Sequence, residues 1–242
     1  MNAAHRFFVD PMALSGDRAA LAGDQAKQIA SVLRLGAGDE IVLVTGGEEI
    51  VVRLDAVARG RVEGIVIDRR AAAAEPALRL TLALPLLRGD RGEEVVEAVT
   101  QLGVSRIVPL VSERSVVREL SRAKRERWER IARESAETAR RGRVPRIDDV
   151  VAWPRLFDAL EPPVVVAWEG ERDRVLAAAV GPSLRSLSLV IGPEGGLSEE
   201  EVALARERGA SVVTLGRRNL RSETAAIAAV AQAFLLAEAM RT

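Results

Sequence analysis

Residues 186 to 202 read SLSLVIGPEGGLSEEEV: an apolar strand run, a glycine-rich loop and the opening of a helix. Ser198 followed three positions later by Glu201 forms the capping-box pattern, in which each side chain accepts from the other's backbone N–H, so the helix starts near Glu199. The loop Gly192, Pro193, Glu194, Gly195, Gly196 therefore sits at the carboxyl end of a buried strand, where parallel α/β sheets commonly take ligands. Its glycines permit positive φ and close approach of a ligand to the backbone. A tight strand-to-helix connection holding no ligand fits the same composition. The GxxxxGK[ST] spacing of a P-loop is absent, as is a GxGxxG turn, so neither nucleoside-triphosphate nor Rossmann chemistry is indicated.

Immediately downstream, residues 211 to 234, SVVTLGRRNLRSETAAIAAVAQAF, repeat the strand, loop, helix pattern. Leu215 and Gly216 end the strand, Arg217 to Arg221 form the loop, and Ser222 is placed to cap the helix. Glu223 in the first turn suits the positive end of the helix macrodipole, a structural role that needs no ligand. Ala225, Ala226, Ala229 and Ala233 give the helix a small face that packs close to other backbone. Two such loops at successive strand ends can together form one pocket.

Working outward, LRLTLALPL, a helix from about Gly89 to Leu102 stopped by Gly103, the strand SRIVPLVS, the charged helix SRAKRERWERIARESAETARR and the strand VVVAWE continue the alternation. Strands alternating with helices predict a parallel α/β sheet. The last helix is expected from about Ser222 to Met240. Residues 1 to about 70 read differently, as short strands at 41 to 47, 48 to 57 and 61 to 70 in the manner of a small β-barrel. One helix, GDQAKQIASVLRL, interrupts them, with Ile29, Val32 and Leu33 on one face and Gly36 as its stop. The linking stretch AAAAEPAL at 71 to 78 places the expected domain boundary between residues 72 and 73. No internal repeat is visible.

Composition narrows the chemistry. The 242 residues include no cysteine and a single histidine, His5, while 48% are hydrophobic. Disulfides, thiolate metal sites, cysteine nucleophiles and a mid-chain histidine triad are all excluded. Carboxylates, arginines, hydroxyls and backbone groups remain to do any work. No signal peptide or run of 18 apolar residues is present, which leads to an expectation of a cytoplasmic protein with no membrane partner. Net charge is zero, yet between Arg114 and Arg146 twelve Lys/Arg stand against five Glu. Such a stripe suits nucleic acid or, equally, a solvated helix face.

GPEGGLSEEEV followed about twenty residues later by LGRRNLRSETA resembles the paired signature of the RsmE family of SPOUT methyltransferases. Further pieces in the same order extend the resemblance over nearly the whole chain: RFFV near the start, VLRLGAGDEI at 32 to 41, TQLGVSRIVPLVSERS at 100 to 115 and RWERIARESAETARRGRVP at 127 to 145. The resemblance implies a PUA-like RNA-binding barrel over 1–72 and a SPOUT α/β domain over 73–242 whose parallel sheet carries a deep trefoil knot. It also implies a homodimer that binds S-adenosyl-L-methionine, releases S-adenosyl-L-homocysteine, needs no metal, and methylates N3 of a uridine in 16S rRNA within the small ribosomal subunit. In the usual rRNA numbering that is uridine 1498. By the same carry-over the cofactor pocket comprises Gly192, Glu194, Gly195, Gly196, Leu215, Gly216, Leu220 and Arg221.

The chain departs from the family pattern at Gln28, Gln101, Thr138 and Asn219, which bears on RNA and substrate positioning more than on the glycine loop. Methylation at N3 requires loss of a weakly acidic imide proton. Arg221 is the candidate to stabilise charge on a uracil carbonyl, and Glu223, with Glu194 and Glu134 as alternatives, the candidate to take the proton. Arg6, Phe7, Arg34 and Arg141 are the candidate RNA contacts, since charge beside an aromatic ring suits phosphate and base stacking, although Phe7 at a strand start equally suits a core. Two other functions compete: a SPOUT methyltransferase acting on a different RNA position or atom, and a non-catalytic rRNA-binding assembly factor.

Overall fold

The computed structural model describes residues 5–72 and 75–238 and divides into two compact units: Met1–Glu75 with Ala136–Arg143, and Pro76–Ser135 with Val144–Thr242. The first unit thus ends near the expected linker but also takes in a later segment, which a boundary drawn along the chain at residues 72 and 73 does not provide for. It holds β1 (His5–Phe8), β2 (Leu14–Ser15), β3 (Arg18–Ala22), α1 (Gly23–Lys27), β4 (Glu40–Thr45), β5 (Glu48–Ala58) and β6 (Arg61–Ala71). The strands form one sheet in the order β1-β4-β5-β6-β3-β2, antiparallel except for the β1–β4 pair. Register shifts in β5 between Val51 and Val52 and between Leu54 and Ala56 bend the long β5–β6 hairpin, as bulges do. Phe7, Ile29, Ile41, Leu43, Ile50 and Val52 fill its core.

The expected helix over 23–35 is realised in two pieces. α1 passes into a π-helical turn, Gln28–Val32, whose widened spacing appears in the Leu33 N–H donating to the Gln28 carbonyl at 2.9 Å. That turn rotates the following residues out of phase, so Ile29 is buried whereas Val32, expected on the same face, is 71% exposed. The turn ends at Val32, and Arg34 beyond it adopts φ 56°, before Gly36 is reached.

The second unit comprises β7 (Arg79–Pro85), α2 (Arg91–Leu102), β8 (Arg106–Val111), α3 (Arg122–Thr138), β9 (Arg146–Ile147), β10 (Val151–Ala152), α4 (Trp153–Ala159), β11 (Val164–Ala167), β12 (Ser186–Ile191), α5 (Glu199–Glu207), β13 (Ser211–Val213) and α6 (Ser222–Glu238). The last three residues of α3 count with the first unit, and the expected end of α6 at Met240 lies outside the described residues. Every strand pair is parallel, in the order β10-β8-β7-β12-β11-β13 with β9 also on β8. Alternate residues feed two cores, one on each face: Leu80, Leu82 and Leu84 with Leu187, Leu189 and Ile191 on one, Ala83, Val108 and Val190 on the other. Helices α2, α3 and α6 cover the first face, while α4 and α5 supply Leu156, Val202 and Ala205 to the second. Burial on both faces explains why these strands read as near-continuous apolar runs.

β12 enters the sheet between β7 and β11, a space left open while the chain built the β8 side and then β11. The consequence for function is positional. β12, β11 and β13 lie side by side and parallel, so the three loops leaving their carboxyl ends open at the same edge.

Candidate active site

Those three loops enclose a cavity of about 530 Å³, within the range of small-molecule sites. Trp168 and Glu169 follow β11, Gly192 to Gly196 follow β12, and Thr214, Leu215, Gly216 and Arg218 to Arg221 follow β13. Arg91 from α2 and Ser222 and Ala225 from α6 complete the wall. All eight residues carried over as a cofactor set therefore line one cavity.

The glycine loop is shaped by proximity. A Cβ on Gly192 would lie 3.0 Å from Leu197 Cγ, and one on Gly195 would lie 2.9 Å from Arg114 Cβ. Gly196 has φ +73°, and a side chain there would run into the Glu169 carboxylate. The helix behind the loop begins as read: Ser198 Oγ accepts from Glu201 N at 3.3 Å and Glu201 Oε2 accepts from Ser198 N at 3.1 Å. Glu201 does more, because its Oε1 accepts the Glu113 N–H at 2.8 Å, and its buried carboxylate thereby ties the loop after β8 to the helix start. Arg114 Nη1 donates to the Gly195 carbonyl at 3.3 Å. In the β13 loop, Thr214 Oγ1 accepts from Gly216 N at 3.2 Å, closing a turn in which Gly216 takes φ +115°.

Charge in the cavity centres on Arg91. Its Nη1 lies 3.8 Å from Glu194 Oε1 and its Nε 3.8 Å from Glu223 Oε1. Glu194 also accepts the Arg88 N–H at 3.1 Å. Glu223 stands behind the wall, with Oε2 buried and lacking a hydrogen-bond partner among the described residues. Arg221 is exposed and forms no ion pair among the described residues, so it is not engaged with Glu223. Beside the cavity, Arg206 stacks on Trp168 at 5.7 Å and approaches Glu171 at 3.5 Å. The Glu171 carboxyl lies below its ordinary range because the N–H groups of Asp173, Arg174 and Arg172 donate to it, with help from the Arg206 charge.

The family model for the RNA methyltransferase domain matches residues 74–233. Ribosomal RNA small subunit methyltransferase E of Bacillus subtilis is 33% identical over 91% of this chain and 91% of its own length. The chain belongs to the ribosomal RNA small subunit methyltransferase E family. Another member, from Neisseria gonorrhoeae and crystallised with S-adenosyl methionine, is 31% identical and superposes with a TM-score of 0.85 over 95% of this chain and 96% of its own. A putative methyltransferase from Legionella pneumophila, also solved with its cofactor SAM, is 26% identical with a TM-score of 0.83, covering 97% and 98% of the two chains.

Within this methyltransferase E family member, the four candidate RNA contacts separate. Arg34 is exposed. Arg6 is not: its Nη1 pairs with Glu49 Oε1 at 2.8 Å, with side-chain exposures of 8% and 5%. Phe7 is a core residue of the first unit, and Arg141 is buried, its Nε and Nη2 gripping the two oxygens of Glu75 at 3.2 and 2.8 Å. Burial and paired carboxylates give Arg6, Phe7 and Arg141 a structural role in the first unit, and leave Arg34 as the exposed member of the four. The proton-acceptor candidates also separate: Glu194 lines the cavity, whereas Glu223 faces Arg91 from behind it and Glu134 is exposed on α3 away from the wall. Arg91, Trp168 and Thr214 are cavity residues that sequence reasoning missed. Trp168 and Thr214 lie towards the carboxyl ends of the strands VVVAWE and SVVTLG, a signal that would have found them; Arg91 carries no such mark. No helix among the described residues is long and apolar enough to cross a membrane.

Proposed function

We propose that this chain transfers the methyl group of S-adenosyl-L-methionine to N3 of a uridine in 16S rRNA of the small ribosomal subunit, uridine 1498 in the usual numbering. The observation that carries the reading is the convergence of the GPEGG and LGRRNLR loops, with every residue of the implied cofactor set, on one cavity in a member of this family. The fit to the cofactor is supported by the glycines, which leave backbone where side chains would fill the cradle, and by a lining that joins apolar Ile191, Leu215 and Leu220 to carboxylates and arginines. Gly192, Glu194, Gly195 and Gly196 would hold the adenosine part, with Leu215, Gly216, Leu220 and Arg221 closing over the methionine part. When bound, the cofactor supplies an electrophilic methyl carbon on a sulfonium.

The chain's own residues position and stabilise. Arg221, with no carboxylate partner among the described residues, is suited to donate to a uracil O2 or O4 as negative charge develops there. Glu194, the cavity-lining carboxylate among the three candidates, is suited to accept the N3 proton. We read the first unit as the PUA-like RNA-binding barrel and the second, with β12 entering between β7 and β11, as the knotted SPOUT domain acting in a cytoplasmic homodimer. Exposed Arg34 and the basic stripe of α3 remain the RNA-facing candidates.

The test is tritium transfer from labelled cofactor to small subunits, followed by nucleoside analysis of the product. Labelled N3-methyluridine is expected, and Arg221→Ala should abolish transfer even at saturating cofactor. A different methylated nucleoside would favour another SPOUT specificity, cofactor binding without transfer would favour an assembly factor, and full turnover by the variant would remove Arg221 from catalysis.

A further inference from the structure

The cavity holds a cation that neither glycine-loop signature contains. Arg91 is the first residue of α2, reaches the wall from outside both loops, and makes no side-chain hydrogen bond among the described residues. Glu194 and Glu223 flank it, each at 3.8 Å. That separation is too long for a hydrogen bond but close enough for charge attraction, so the guanidinium is held in place with its N–H donors uncommitted. The other cavity cations, Arg218 and Arg221, lie on the exposed β13 loop and have no carboxylate beside them among the described residues.

We propose that Arg91 anchors the α-carboxylate of the cofactor's methionine part, and that Glu223 is a positioning residue acting through Arg91. This inference rests on the cofactor reading above. S-adenosylmethionine carries one anionic group, its carboxylate, beside two cations, the ammonium and the sulfonium. An arginine between two glutamates has the complementary composition, one positive charge and two negative. A planar guanidinium with unused donors is the protein group best matched to a carboxylate, which it can grip through two parallel hydrogen bonds. Among the described residues Glu223 meets the cavity by way of Arg91: it is absent from the lining, and its charge contact there is with Arg91.

The experiment is titration calorimetry of the full chain with S-adenosylhomocysteine, which keeps the amino-acid tail, and with 5′-methylthioadenosine, which lacks it. Arg91→Ala is expected to weaken S-adenosylhomocysteine about 10- to 100-fold, as loss of a charged hydrogen-bonded pair does, while methylthioadenosine affinity changes less than about twofold. Arg91→Lys, which keeps the charge but not the fork, should give a smaller loss confined to the same ligand. Glu223→Gln should follow that pattern with a loss of a few-fold. Equal weakening of both ligands, or unchanged S-adenosylhomocysteine affinity in folded Arg91→Lys, would overturn the anchor. Wild-type protein that methylates nothing and binds neither ligand would instead overturn the cofactor reading, so the two failures are distinct.

Discussion

Glu49 shows how a residue's neighbours override its local sequence. Burial pushes its carboxyl up, yet hydrogen bonds and charge from Arg6 and Arg70 outweigh that and hold it below the ordinary carboxylate range. A pKa lowered in the folded state stabilises folding fully above the unfolded-state value of roughly 4.3, and the contribution is lost as pH falls through the folded value. Glu49→Gln leaves the Arg6 guanidinium buried beside a neutral group, so it should cost about 3 kcal/mol at pH 7. Urea unfolding followed by circular dichroism should show the gap from wild type narrowing on acidification towards pH 3; an equal gap at both pH values would refute the assignment. The burial of Arg6 and Arg141 was hidden in the sequence for a related reason. Charge beside an aromatic ring is visible in Arg6-Phe7, but the partner that internalises Arg6 is 43 positions away and the one that internalises Arg141 is 66. The place of the glycine-loop residues at the cavity was legible because it depends on backbone shape within a few positions. Arg91 was not, because only tertiary packing brings α2 to the cavity.

At the scale of elements, what could be read was whatever repeats or caps locally. Strands β4 to β8 and β11 to β13, the Gly103 stop of α2 with φ 114° and the capping box of α5 all follow from periodicity or from a few adjacent residues, whereas the short β2, β3, β9 and β10 do not. The π-helical turn at Gln28–Val32 leaves no mark in the apolar pattern, and α4, seven residues long, is too short to show a period. Nor does any local signal tell β12 to enter between β7 and β11, since pairing partners are chosen by the whole sheet. One helix position separates propensity from packing. Alanine at Gly92 should gain about 0.5–1 kcal/mol from reduced chain entropy, but its Cβ would sit 2.6 Å from Cζ2 of the fully buried Trp128. Overpacking typically costs about 1–3 kcal/mol and a sealed indole has little room to yield, so packing wins. Gly92→Ala is expected to destabilise by about 1 kcal/mol, and a double-mutant cycle with Trp128→Phe should reveal coupling. A raised melting temperature in Gly92→Ala would show that the ring moves.

Over the whole molecule, the aromatic residues fall unevenly, and that makes the two units separately observable. The chain has three tryptophans and no tyrosine, and Trp128, Trp153 and Trp168 all belong to the second unit. Tryptophan emission therefore reports the second unit, while far-ultraviolet circular dichroism reports both. Trp168 lines the cavity, so a bound ligand should change its emission directly, and Trp168→Phe should remove most of that change. Binding to the folded state alone stabilises by about 2.7 kcal/mol when free ligand is at 100 times its Kd. For a unit of roughly 150 residues this corresponds to a rise of several degrees in midpoint at about 2–4 °C per kcal/mol. S-adenosylhomocysteine should accordingly raise the tryptophan-detected midpoint by that amount, and Arg91→Ala should reduce the rise at the same ligand concentration. In Glu49→Gln, whose lesion lies in the first unit, the ligand-induced rise should persist in full. A ligand that moves the midpoint equally in wild type and Arg91→Ala is engaging some other part of the second unit. One that moves nothing at saturating concentration would leave the loops after β12 and β13 as connections alone, the ligand-free role that their glycine composition also allows.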